Sequence, residues 1–324
     1  MIEDEEGTHV ARSGKGRRLA LAATLATGGM LISGCSTQEF MRFGWPDPVT
    51  VQGERMGQFW TGAVISALII GVLVWGLMFW AFIAYRKRKN SPLYPKQTKE
   101  NLPLELIYTA VPFLMVGVLF YFTVTTENFA LKRDPNPAVT IDVTGFKWNW
   151  DFGYQGTTAP DGQEVHTIGS STEVPVLVLP VGQIIQYELS SRDVIHSFWV
   201  IDYVFKRDVF PDPEPNNSQN IIQTTITRTG AFVGRCAELC GTYHSAMNFE
   251  VRAVPQDVYD AYIGLRQQVN PATNDGYTAA EALRQVQTQF PDCGELCSPV
   301  ATSTYPFTTN RQAQEASQPI AGGN

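Results

Sequence analysis

The sequence predicts an all-β Greek-key sandwich or barrel, preceded by a two-helix transmembrane hairpin that holds it outside a membrane. Three observations carry that class. Two long uncharged apolar runs flank a basic connector, six short β-rich segments punctuated by turn residues follow, and the charge changes sign along the chain. The 324 residues are 44% hydrophobic and 17% charged with a net charge of -7, a globular rather than fibrous or disordered composition. Positions 1–34 are neutral, 35–126 carry +3 and 127–324 carry -10. The acidic back half argues against nucleic acid as a partner, because phosphate binding needs clustered Lys and Arg, and it suits a cationic partner surface.

In chain order, Lys15-Gly16-Arg17-Arg18 and the apolar run Leu19–Ile32 form the charged and hydrophobic regions of a secretory signal, too short to span a bilayer. The run ends in Ile32-Ser33-Gly34-Cys35, which is similar to a bacterial lipobox. Positions 1–34 are therefore expected to be removed and Cys35 to be acylated by membrane lipid; the alternative is an uncleaved signal anchor. No charged side chain lies between Arg55 and Arg86, and a second uncharged run covers Leu106–Thr126. A ~30 Å hydrocarbon core needs ~20 helical residues, so positions 35–126 form a membrane anchor with helices over about 57–85 and 103–126. Pro112 is tolerated within such a helix. The connector holds Arg86, Lys87, Arg88, Lys89, Lys96 and Lys99 against Glu100, which places it in the cytoplasm and the C-terminal domain on the outer side of the cell membrane.

Positions 127–256 form the β domain. Val139–Phe152, Val174–Leu179, Ile184–Leu189, Ser197–Tyr203, Ile221–Thr227 and Met247–Val254 are rich in Val, Ile, Thr and aromatics, and Gly, Pro and Asn separate them. Positions 257–324 form a C-terminal tail, with short helices expected over Asp257–Val269 and Thr278–Phe290 and a polar end, Ser298 to Asn324, that is either disordered or draped on a partner.

The chemistry concentrates in Cys236-Ala237-Glu238-Leu239-Cys240-Gly241-Thr242-Tyr243-His244-Ser245-Ala246-Met247. Thiolates with imidazole select copper, and sometimes zinc; a thioether favours copper, because Met is a poor zinc ligand. Two thiolates on one loop can bridge two metals, each of which then needs a terminal His. The loop supplies His244, and His196 in Asp193-Val194-Ile195-His196-Ser197 heads a predicted strand upstream. A Cys236–Cys240 disulfide is the competing reading.

This pattern, Cys-x-Glu-x-Cys-Gly-x-x-His-x-x-Met with an upstream Asp-Val-x-His-Ser, resembles the dinuclear CuA site of cytochrome c oxidase subunit II. The resemblance takes in the hairpin and Lys147-Trp148-Asn149-Trp150 and spans roughly Glu54 to Pro255. It implies a cupredoxin-like domain in which Cys236 and Cys240 bridge two coppers, His196 and His244 are terminal ligands and Met247 is a weak axial thioether. Glu238 would ligate through its carbonyl, and its carboxylate would reach a Mg²⁺ shared with the catalytic subunit. The resemblance implies that electrons from cytochrome c, or from a membrane-bound cytochrome c domain, arrive at Trp148. Asn149 stands where the family usually has a middle aromatic. Glu105, at the cytoplasmic start of the second helix, would mark a proton-pathway entrance. The implied activity is electron transfer to the haem–copper, O₂-reducing site of subunit I, in a proton-translocating oxidase that also contains subunit III. A competing function of another class is a membrane-anchored copper-binding or copper-delivery lipoprotein.

Trp148 and Trp150 alternate on one predicted strand and are expected on one face. Asp142, Asp151, Glu164, Asp193 and Asp202 are candidate docking acids, and His166 is expected to be an exposed loop residue. Cys293 and Cys297, with no following His, suit a structural disulfide rather than haem attachment.

Overall fold

A computed structural model describes residues 37–95, 97–211 and 220–304. The signal and Cys35 lie outside them. Helix α1 (Thr37–Met41) belongs to a separate N-terminal unit ending at Trp45; the second unit starts at Pro46.

Helix α2 (Val51–Ala84) has 34 residues and α3 (Leu102–Ala130) has 29, and the most apolar stretch of each has no buried residue. Such surfaces suit lipid rather than water. Thr50 Oγ1 accepts the Gly53 N–H at 3.0 Å and so caps α2 ahead of its uncharged run. Asn101 caps α3 by accepting from Leu104 N, and Glu105 Oε1 accepts the Asn101 N–H at 3.0 Å, so both side chains satisfy donors a helix start leaves open.

The start of α2 is seated in the β domain. Val49 N–H donates to Asp202 O and Val49 O accepts from Thr227 N–H, each at 2.9 Å, and Gln52 Oε1 accepts from Thr225 N–H at 3.1 Å. A Cβ on Gly53 would stand 2.8 Å from Tyr203 O, so only glycine permits this approach.

The domain is two five-stranded sheets. One has the order β3 (Val165–Ile168), β2 (Asn149–Tyr154), β1 (Val139–Phe146), β5 (Ile184–Ser191), β8 (Ile221–Thr225). The other has β4 (Val176–Pro180), β10 (Asn248–Val254), β9 (Gly230–Cys236), β6 (His196–Val200), β7 (Phe205–Val209). Pairing is mostly antiparallel, with β1·β5 and β10·β4 parallel. Trp150, Phe152, Tyr187, Phe198 and Phe249 are fully buried between the sheets.

The single strand expected over Val139–Phe152 is a hairpin, β1 and β2, turning at Lys147-Trp148. Neither central residue of this turn is Gly, Asn or Pro; a side chain far along the chain helps hold it, since Lys147 N–H donates to Asp193 Oδ2 at 2.7 Å. Trp150 is therefore core while Trp148 lies in the turn, half-buried, and the two do not share a strand face.

After β10 come α4 (Gln256–Arg266), α5 (Ala279–Gln289) and a 3-10 segment Pro291–Cys297 closed by a Cys293–Cys297 disulfide with Cα atoms 5.6 Å apart. The polar end from Ser298, expected to be disordered or draped on a partner, is as far as Thr304 a strap on this chain's own β10. Glu250 and Arg252, both 0% exposed on β10, form an ion pair. Arg252 Nη1 donates to the carbonyls of Glu295, Leu296 and Ser298, and Nη2 to that of Val300. Glu250 Oε2 accepts the N–H groups of Thr302, Ser303 and Thr304. Each buried charge thus has a counter-charge and hydrogen bonds, the condition for tolerating it.

Candidate metal centre

β6 and β9 pair antiparallel, with Phe198 opposite Cys236, which brings His196 beside the loop that leaves β9. That loop makes one 3-10 turn, His244–Ala246, before β10. Cys236 Sγ and Cys240 Sγ lie 3.9 Å apart, far beyond a ~2.05 Å disulfide bond, so the competing disulfide reading does not hold. His196 Nδ1 is 3.8 Å from Cys236 Sγ, and His244 Nδ1 is 3.6 Å from Cys240 Sγ. Met247 Sδ is 3.8 Å from Cys240 Sγ, and the Glu238 carbonyl oxygen is 3.3 Å from Cys236 Sγ. Among the described residues, His196, Cys236 and Cys240 present ligand atoms that all lie within 4.8 Å of one another.

His196 turns Nδ1 toward the sulfurs because Asp193 Oδ1 holds its Nε2 at 2.8 Å, an outer-shell carboxylate of the kind that fixes a ligating imidazole. Burial pushes the Asp193 carboxyl upward, but hydrogen bonds from Lys147 N–H, His196 and Val194 N–H outweigh it and hold the group below its ordinary value. Burial likewise opposes charge on Cys236, and its contact with His196 and nearby backbone N–H groups bring it down; Cys240 is pushed up by burial and by its neighbour's sulfur. Two thiolates this close repel, which is why the shifts of the pair run in opposite directions.

Trp148 stacks edge-on against Tyr243 of the same loop, ring centroids 5.0 Å apart. Tyr243 is the residue that sequence reasoning missed; only the folded turn brings these rings together. Glu105 lies on α3, in the membrane hairpin rather than among the metal-loop residues. Of the five candidate docking acids, Asp151 is buried between His166 (2.8 Å) and Arg192 (3.0 Å), and Asp193 is committed to His196. Asp202 is half-buried, its pKa raised by desolvation. Asp142 and Glu164 remain near the surface, and Glu164 is raised first by burial and then by Asp142. His166 is not a loop residue: it lies on β3 and pairs with Asp151.

The sequence profile described as cytochrome c oxidase subunit II, periplasmic domain, matches residues 139–254, and that of its transmembrane domain matches residues 39–135. A probable cytochrome c oxidase subunit 2 of Nocardia farcinica is 43% identical over 98% of this chain and 96% of that protein. The Mycobacterium tuberculosis cytochrome c oxidase subunit 2 is 42% identical over 94% of this chain and 92% of that protein. Among solved structures, the periplasmic domain of subunit II of cytochrome oxidase of Bradyrhizobium japonicum is 26% identical, covering 40% of this chain and 94% of that one with a TM-score of 0.34. Both profiles and the near-full-length relatives agree: the chain belongs to the cytochrome c oxidase subunit II family.

Proposed function

We propose that Cys236, Cys240, His196, His244, Met247 and the Glu238 carbonyl hold a dinuclear copper centre of the CuA type, through which this subunit II relays electrons from a cytochrome c to subunit I. The observation that supports it best is the near-symmetric donor set: two sulfurs 3.9 Å apart, each with its own imidazole nitrogen at 3.6–3.8 Å. Soft sulfur with imidazole suits copper. When bound, the metal pair supplies a one-electron couple. The chain's residues occupy the ligand positions, and burial of His196, Cys236, Cys240 and Met247 keeps bulk water away. The same burial speaks against a copper-delivery role, which needs a site open to exchange. The exposed Glu238 carboxylate is assigned to a Mg²⁺ at the contact with subunit I. The purified oxidase should show a purple chromophore and a mixed-valence, seven-line copper EPR signal; a zinc-filled or EPR-silent site sinks the assignment.

Trp148 is assigned as the position where electrons arrive, being half-buried beside the metal loop. Trp148→Phe is expected to slow reduction by cytochrome c several-fold with the copper spectrum unchanged; an unaltered bimolecular rate removes Trp148 from the path. The donor is assigned as a basic cytochrome c or a membrane-bound cytochrome c domain, and subunit III as a further neighbour.

Glu105 is assigned to the proton-pathway entrance. Its carboxylate accepts from Asn101 N–H at the helix start, so Glu105→Gln keeps an acceptor there. Lower proton-coupled turnover without loss of assembled oxidase is expected; full turnover would leave Glu105 with the capping role alone.

A further inference from the structure

Where α2 and α3 leave the β domain they enclose a cavity of about 270 Å³. Arg55, Phe59, Gly62 and Ala63 form one wall, and Leu119 and Phe122 the other. Positions 55, 59, 62 and 63 recur on one face of α2 at helical spacing. A Cβ added at Gly62 would meet nothing within 4 Å, so glycine and alanine here leave space that the chain does not fill. Ser66, also at the cavity, donates to Gly62 O at 2.8 Å, so its hydroxyl is already satisfied and this part of the wall behaves as apolar.

Arg55 is the last charge before the uncharged run from Met56 to Tyr85. Residues 49–53 just before it are held in the β domain, so a charge that opens the uncharged run directly after them is expected at the headgroup level of the outer side. Its guanidinium has no ion-pair partner among the described residues. A cation over an apolar slot between two spanning helices matches the two parts of an anionic phospholipid, the charge meeting the phosphate and the slot an acyl chain, the same pairing by which basic pockets between transmembrane helices on the cytoplasmic side hold anionic headgroups. We propose that this cavity binds one anionic phospholipid of the outer leaflet, with its phosphate on Arg55, assisted by Gln58, and an acyl chain between Phe59 and Phe122.

The test uses the intact oxidase, washed in detergent and examined by native mass spectrometry after adding back phosphatidylglycerol, phosphatidylcholine or inorganic phosphate. The wild type is expected to retain phosphatidylglycerol in preference to phosphatidylcholine. Arg55→Gln should weaken that retention about fivefold, in line with the effect of one basic residue at an anionic surface. Gly62→Phe, which fills the slot and keeps the charge, should displace the lipid as well. An unchanged copper EPR signal in both variants reports that the complex is folded. Equal retention of the two lipids, displacement by inorganic phosphate, or retention unaltered by both substitutions, as when a neighbouring subunit fills the slot, would each overturn the proposal.

Discussion

Replacing Cys236 by serine is expected to abolish the dinuclear copper signal and the electron transfer that depends on it. The sulfur is central to the cluster: it stands 3.8 Å from His196 Nδ1, 3.3 Å from the Glu238 carbonyl and 3.9 Å from Cys240 Sγ. Serine is hard, protonated at neutral pH and a poor copper ligand. Removing it leaves one thiolate, which cannot hold two metals in the same arrangement. EPR and metal analysis of the purified variant read this directly. Because Cys236 is 7% exposed at the end of β9 and serine is nearly isosteric, the domain should still fold. A retained seven-line signal would show that Cys236 does not bridge.

The second large effect concerns stability. Arg252→Met leaves Glu250 charged, buried and without its counter-ion, and breaking a buried pair from one side costs about 3–5 kcal/mol. For a domain of this size that corresponds to a drop of about 10 °C or more in Tm. It also frees four backbone carbonyls from the guanidinium, two in the 3-10 segment and two in the strap, so proteolysis near 295–304 should accelerate. Thermal unfolding and limited digestion of the detergent-solubilised chain measure both. The pH dependence has a defined sign. Burial raises the Glu250 carboxyl, but the Arg252 charge and the strap's N–H groups outweigh it and hold the group below its ordinary value. The contribution is therefore complete above the unfolded value of about 4.3 and lost as pH falls through the lower folded one. If the variant and the native chain melt together at neutral pH, the pair does not hold the strap.

These cases also mark what was legible beforehand. The spanning helices announce themselves because a bilayer penalises every charge between Arg55 and Arg86. The metal loop is legible because its donors fall within twelve consecutive residues, and local spacing survives folding. His196 was legible only as a candidate at the head of a predicted strand, since strand pairing across forty positions leaves no local mark, and the resemblance made it a ligand. The turn at Lys147-Trp148 escaped because neither residue is Gly, Asn or Pro and a group that helps hold it, the Asp193 carboxylate, is 46 positions away. The strap escaped for a related reason: Glu250 and Arg252 bind mainly backbone groups 43 to 54 residues on, and every residue offers a backbone carbonyl, so no side-chain pattern reveals the choice. His166 was misjudged because its partner, Asp151, sits on a strand that the missed hairpin turn had disguised.

The seating of α2 in the β domain fixes a height. A helix of 34 residues is about 51 Å long at 1.5 Å per residue, against a hydrocarbon core of ~30 Å. The surplus lets the first turn stand outside the hydrocarbon core, gripped by Asp202, Thr225 and Thr227 with Gly53 pressed against Tyr203. At the α2 end, the chain passes from the helix straight into backbone hydrogen bonds with the β domain. The electron-carrying end is thus mounted on a rigid post, and its separation from any redox group inside the membrane is set by backbone geometry rather than by a search through orientations.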